Sequence, residues 1–465
     1  MFRLVSVREE KLITDYEPDL QKLKFLYGLY AFFVFASIIM PQYFGLHVGY
    51  DITCARFSNV LFVIYMVVSP FIMMHFIQTV ARCEIFYPLC LYLFVSVYTM
   101  VYRVDVNAFF LVFLEIFSMF MMIYGIRYVV GYRRAIKWVL GCVYFLTCYG
   151  IVEFLYGKSI FLQFFKTMPT LVHNSYRSGH YRIMGPCGHS LGYGLVLLLF
   201  LAIACVDFEK NELYLFRRPV LLVLILVNVF FTGSRSTLGI SVLEILIILL
   251  FSNRNNKKKS IFWLGVAGMG LAFFVLLFQG TGMGRYLLGQ IASVIDQFFD
   301  TNFALKYGID TETLKNSEEY RDVLPLIFKL DWLNPIVGRG RGFSGAEING
   351  KFIHSIDNYY VLQYIKYAYP GMISYILFMV VLIVVLIKDL LKRNNTHSAV
   401  TKFVLIASLM YFFNIWWVDV LQTLKYLYIV IAIFYAAYLE EKDLKERKEN
   451  DSVRKVEKTR NEKFI

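Results

Sequence analysis

Residues 219–251 read PVLLVLILVNVFFTGSRSTLGISVLEILIILLF, and this stretch decides the fold. Two apolar runs, 219–231 and 236–251, flank the short polar hairpin Thr232-Gly233-Ser234-Arg235. Runs of this kind, nearly free of charge, suit helices that cross a bilayer. Ten more follow the same pattern, at 25–40, 58–79, 85–102, 106–124, 135–157, 187–206, 260–279, 369–387, 400–417 and 420–439. Some are shorter than a full span, so their ends extend into the loops. The expected fold is all-α: a polytopic helical membrane protein of about twelve transmembrane helices. Composition agrees, since charged residues make up only 17% of the chain and hydrophobic ones 58%, whereas a soluble domain carries about 25% charged residues. The 34 Tyr and 44 Phe suit interfacial belts and helix packing. The first 24 residues are polar and hold no apolar core, so the first span is expected to serve as its own insertion signal.

Orientation follows from the short connectors. The five at 80–84, 125–137, 207–219, 252–260 and 388–402 hold 16 Lys/Arg in 55 residues, against three in 24 for 41–57, 103–105 and 232–235. The positive-inside rule therefore puts the first set, and both termini, in the cytoplasm of a cytoplasmic (inner) membrane protein. The net charge of +13 is accounted for by this topology, with no need of a nucleic-acid partner. Residues 1–439 form the membrane domain, and 440–465 form a charged cytoplasmic tail. Two external segments are long, 158–185 and 280–368. The second, between spans nine and ten, is too long to lack structure, and 318–328 reads as an amphipathic helix kinked by Pro325. The seven cysteines are scattered with no CxxC pair, so they read as small buried hydrophobes, not as a metal or redox site.

The spans hold few ionisable residues, chiefly Glu115, Glu153, Glu244, Asp419 and Lys425, a thin basis for a proton relay. Polar residues gather at the external face in three clusters: Tyr181-Arg182-Ile183-Met184-Gly185 running to Ser190, Thr232-Gly233-Ser234-Arg235-Ser236, and Gly338-Arg339-Gly340-Arg341-Gly342, the last followed by His354 through Tyr360 and by Tyr369-Pro370-Gly371. In order, spacing and sidedness, these clusters over about 180–390 resemble those of the bacterial O-antigen ligase and polysaccharide polymerase superfamily. The resemblance implies a metal-independent glycosyltransferase, with no cofactor, that uses a polyprenyl-pyrophosphate-linked glycan donor. Its acceptor is a glycan or a lipid core, and membrane lipids and other polysaccharide assembly proteins are its remaining partners.

That chemistry fits the residues. Arg182, Arg235, Arg321, Arg339 and Arg341 are the candidates for the donor diphosphate, since a guanidinium stays charged and binds phosphate oxygens in a fork. Pre-placed arginines also stabilise charge building on the leaving diphosphate. The acceptor hydroxyl needs a base, and His354 is the candidate, with Asp357 three residues on to orient it. Asn358 and Tyr359 position the end of the loop, whereas His173, His180 and His189 read as surface or packing residues. The leading expectation is polymerisation of lipid-linked repeat units of a capsule, exopolysaccharide or O-antigen. A ligase would share the donor, and a flippase for the same lipid would instead line its interior with charge. The orientation is tested with single cysteines in a background lacking reactive native ones. Thr170→Cys and Leu330→Cys should react with an impermeant thiol reagent added outside intact cells; labelling of Lys257→Cys or Arg393→Cys instead reverses the topology.

Overall fold

The computed structural model describes residues 24–462 except 42, 48–50, 164–175, 178–179, 300, 309–322, 342–344, 349–350, 354–355, 393–394 and 421. Among the described residues the fold is helical, with four short two-stranded hairpins. All twelve apolar runs lie on helices. Four helices are long and apolar enough to cross a membrane, Val106–Val130, Tyr132–Tyr156, Arg254–Phe278 and Tyr359–Leu390, and a bent pair makes a fifth. The others named here are shorter, among them α1 (Lys24–Ile39), α7 (Ser190–Ala204), α8 (Pro219–Phe231) and α13 (Ser398–Asn414). The bent pair is the run at 58–79. It is not one straight helix but α2 (Cys54–Val68) and α3 (Pro70–Ala81), set at 117°. Pro70 has no N–H to give and pushes Ser69 out of helical geometry, to φ −124° and ψ 88°.

The bundle has two chemically distinct ends. At one, Arg82 and Arg127 pair with Asp443 at 2.5 and 2.7 Å, on the long helix α14 (Leu424–Glu462). His397 sits between Asp389 and Glu441, at 3.1 and 3.0 Å. Asn211 donates to the Asn395 carbonyl, and Asn253 donates to Glu212. Three of the basic connectors therefore meet the start of the charged tail, and the other two join them through 388–402. Lys425, near the first turn of the same helix, lines a cavity at the opposite end. At 1.5 Å per residue, Lys425 and Asp443 stand about 27 Å apart, close to a hydrocarbon thickness of about 30 Å.

Helix α7 is the axis of the bundle, with every residue but Leu191 buried, as an all-round apolar helix requires. It is tied to its neighbours by Asn228 of α8, whose Nδ2 donates to the Thr147 carbonyl of α6 (Tyr132–Tyr156) at 2.9 Å and whose Oδ1 accepts from Tyr193 of α7. Gly150 makes the room, since a Cβ there would fall 1.9 Å from Asn228 Oδ1. Close approach through a small residue, with a polar side chain bridging helices, is how packing is secured where burial against lipid gains little.

Helix α12 (Tyr359–Leu390) breaks at Ala368, at φ 55° and ψ −164°. Pro370 gives no N–H to the Lys366 carbonyl, and the Tyr369 N–H turns away to Pro335. The freed carbonyls of Ile365 and Lys366 accept instead from the backbone amides of Arg339 and Gly340, at 2.8 and 2.9 Å. The loop that supplies them rests on α4 (Phe86–Arg103) and the turn beyond it. Tyr98 donates to the Ile336 carbonyl, Arg103 to those of Val337 and Gly338, and Asp105 accepts from the Arg341 amide. The part of the expected amphipathic helix that is described, Leu324–Lys329, is a 3-10 turn. A Cβ on Gly338 would lie 2.1 Å from the Lys366 carbonyl oxygen. Gly338→Ala should therefore destabilise the protein by about 1–3 kcal/mol, read as a lowered melting temperature in detergent. Gly280→Ala, in open space, should leave it unchanged.

Candidate functional site

The end of the bundle opposite the tail holds a cavity of about 860 Å³. Its wall is built by the first and third sequence clusters and by residues from α1, α2, α5 (Val106–Gly125), α12 and the start of α14. The first cluster is anchored by Glu153, buried at the end of α6. Glu153 accepts from the Tyr181 hydroxyl at 2.8 Å and from the Met184 and Gly185 amides at 2.9 Å each. That fixes the turn carrying Arg182, whose Nε donates to the Thr232 carbonyl at 2.7 Å. The second cluster thus braces the first. Gly233, at φ +59°, lets the hairpin fold over Arg182, and a Cβ there would sit 3.1 Å from Nε. Further along, His189 caps α7, its Nδ1 accepting from the Leu191 amide at 3.1 Å. A neutral His189 therefore carries its proton on Nε2.

The third cluster arrives from the other side. Arg341 reaches the cavity with its Nη2 4.0 Å from Glu115 of α5 and beside Tyr367. Lys366 lines the same wall, acted on by the charges of Asp419, Arg341 and Glu115. Asp357 and Tyr359 also line the cavity. The cap of α12 is Asn358, whose Oδ1 accepts from the Tyr360 and Val361 amides, so Asp357 is released from that role.

Of the expected donor-binding arginines, Arg182 and Arg341 face the cavity. Arg235 starts α9 (Arg235–Phe251) and is not among the lining residues. Its charge acts on Asp296 of α11 (Gly282–Phe299). Burial pushes the Asp296 carboxyl up, but bonds from Thr301 and from the Ala304 and Phe303 amides, with Arg235, hold it below its ordinary value. Arg339 is turned outward over Trp332, 4.9 Å from the ring centroid, and donates to the Trp332 carbonyl. Arg321 and His354 lie outside the described residues, as does His173.

Several cavity residues went unread in the sequence. Lys366 counts as a loop residue if the tenth span starts at 369, yet the helix begins at Tyr359 and places Lys366 inside it. Arg56 is the single basic residue of 41–57, and only α2 brings it to the wall. Glu115, Asp419, Lys425 and His189, noticed singly, all line this cavity. Five cations, Arg56, Arg182, Arg341, Lys366 and Lys425, thus face three carboxylates, Glu115, Asp357 and Asp419. Such a surplus inside a largely apolar wall favours an anionic guest.

Comparison with protein-family models and with curated proteins finds no match to this chain. The cavity's surplus of cations at one end of the bundle suits an anion. The role of Glu153 is directly testable. Glu153→Gln puts an amide N–H₂ against a backbone donor, so it should cost about 1–3 kcal/mol of stability. Thermal unfolding should show this loss; unchanged melting in both Glu153→Gln and Glu153→Ala removes the anchoring role.

Proposed function

We propose that this protein is a twelve-span glycosyltransferase of the cytoplasmic membrane, with both termini cytoplasmic. It polymerises polyprenyl-diphosphate-linked repeat units of a cell-surface polysaccharide at the external face. The observation that carries this reading is the cavity with its surplus of cations, at which two of the three sequence clusters contribute arginines and the remaining one braces Arg182. A diphosphate esterified at both ends has one ionisable oxygen on each phosphorus, so two excess cations match it in charge. Arg182 and Arg341 take those oxygens. The acceptor hydroxyl oxygen forms a bond to the anomeric carbon while the carbon–oxygen bond to the diphosphate breaks. The hydroxyl proton passes to His354, and the diphosphate leaves on its polyprenyl chain. Asp357, three residues beyond His354 in the sequence, lines the cavity, and in this reading its carboxylate orients the imidazole.

The test is purified protein with a synthetic polyprenyl-diphosphate oligosaccharide, following elongated product and donor binding separately. Arg182→Ala and Arg341→Ala should each slow transfer roughly ten- to a hundredfold, and lysine at either position should not restore it. Arg235→Ala, off the cavity wall, should have a smaller effect. His354→Ala should lower turnover about 10²–10⁴-fold with donor binding intact. Full turnover in both arginine variants at equal protein level would sink the proposal. So would ATP-independent movement of the unaltered donor across vesicles with no new glycosidic bond, since that is transport.

A further inference from the structure

Lys425 is one of three cavity cations, with Arg56 and Lys366, that the proposed chemistry leaves without a task. It stands in the first turn of α14. Its Nζ donates to the Met40 carbonyl, just past the end of α1, at 2.7 Å, and lies 4.8 Å from the Tyr426 ring centroid. Among the described residues it forms no ion pair with a carboxylate. Lys366 is different, being acted on by Asp419 and Glu115, and Arg341 has Glu115. Its ionisable neighbours are two thiols, Cys54 and Cys187.

Those thiols fix its place. Cys54 begins α2, two residues before Arg56, and Cys187 lies on the segment between Arg182 and His189. Lys425 therefore sits where the elements carrying Arg56, Arg182 and the Nε2 proton of His189 come together, and all four residues line the cavity. An ammonium in an apolar wall with one neutral carbonyl as its partner bears a desolvation cost that a guest anion relieves. The cavity is thus unequal: Glu115 couples to Arg341, Lys366 and Arg56, and Asp419 to Lys366, whereas no carboxylate among the described residues acts on Lys425.

We propose that Lys425 is the nucleus of the subsite for one phosphate of a lipid diphosphate, completed by Arg182, Arg56 and His189. Arg341 takes the other phosphate, and the carboxylates of its wall, Glu115 and Asp419, are left to the hydroxyls of the sugar end. The assignment of a lipid diphosphate rests on the proposed function, but the subsite itself requires only phosphate chemistry.

The experiment uses the full chain in detergent, with binding measured by calorimetry for farnesyl diphosphate, farnesol, inorganic pyrophosphate and a phosphatidylglycerol. Farnesyl diphosphate should bind most tightly. Lys425→Gln, which removes the charge but keeps a side-chain donor, should weaken it roughly tenfold or more, while farnesol binding stays unchanged. Lys425→Arg, which keeps the charge, should stay within about threefold of the unaltered protein. A Lys425→Gln protein that binds farnesyl diphosphate normally overturns the proposal. Phosphatidylglycerol or pyrophosphate binding as tightly as farnesyl diphosphate overturns the lipid-diphosphate assignment, pointing to a headgroup site or to a soluble anion respectively. Should the glutamine variant fail to fold, the unaltered protein still decides. Farnesyl diphosphate should slow alkylation of Cys54, which lines the cavity, by a small maleimide, and no protection counts against the subsite. Lys425-dependent binding of farnesyl diphosphate without transfer from any glycan donor would overturn the glycosyltransferase reading and leave this subsite standing.

Discussion

A backbone carbonyl inside an apolar bundle must find a donor, and in this protein that requirement is concentrated at one place, the break in α12. Pro370 and the left-handed Ala368 strip the Ile365 and Lys366 carbonyls of their helical partners. An exposed carbonyl in hydrocarbon costs several kcal/mol, so such a break survives only where protein or a wet cavity answers it. The amides of Arg339 and Gly340 answer it. Because these amides belong to the glycine-rich loop, the same two bonds that repair the helix also dock the loop. Arg341 is the next residue along, and it is thereby delivered to the cavity. The break also turns Tyr367, whose hydroxyl donates to the Ala108 carbonyl at 2.7 Å, into a brace between α12 and α5. Strain at a backbone outlier is thus coupled to the geometry of the site, as is common where local conformation is over-determined by its surroundings.

Glu153 performs the matching task on the opposite wall. A buried carboxylate that accepts from one hydroxyl and two amides is a satisfied network, and satisfied polar networks rigidify what they hold. The turn it holds carries Arg182. Two of the three arginines that face the cavity are thus each fixed by backbone amides of their own segment donating to a carboxylate, Asp105 for Arg341 and Glu153 for the Arg182 turn. A guanidinium held in this way loses less conformational freedom on meeting a phosphate, which is the physical content of preorganisation.

How much of this was legible in the sequence follows from the range of the interactions. The twelve apolar runs are local signals, and each lies on a helix; the asymmetry of basic connectors agrees with their meeting at one end of the bundle. The bend at Ser69–Pro70 was also local, yet an apolar run hides it, since proline is tolerated within hydrophobic segments. The cavity was legible only in part. Arg182 and Arg341 stand in glycine-rich clusters that advertise close backbone approach, whereas Arg339, in the same cluster and with the same local signature, turns out to Trp332. Two positions separate an arginine on the cavity wall from one stacked on Trp332, and the tertiary bonds of the loop's amides decide which is which. Lys366 and Arg56 were unreadable for a related reason. Their neighbours in the cavity come from helices more than fifty residues away in the chain, and the start of α12 ten residues earlier than its apolar run carries no hydropathy signal.

The distribution of charge in the cavity leads to a last step. If every cation on the wall had a carboxylate, the empty site would be stable and an anion would gain little on entry. If none had, the empty bundle would carry several desolvated charges in its interior, each costly. The arrangement here is intermediate: Glu115 and Asp419 act on the Arg341–Lys366 wall, while Lys425 relies on a single carbonyl. The guest's charge is therefore drawn most strongly toward Lys425, and orientation follows from electrostatics without any shape-specific contact. For a two-ended ligand such as a lipid-linked glycan, fixing the anionic centre against one wall also fixes which end points toward the carboxylates. Carboxylates are suited to accept hydrogen bonds from neutral hydroxyls. The polarity of the wall is by itself sufficient to align a neutral, hydroxyl-rich group opposite an anionic one, which is the alignment that transfer between them requires.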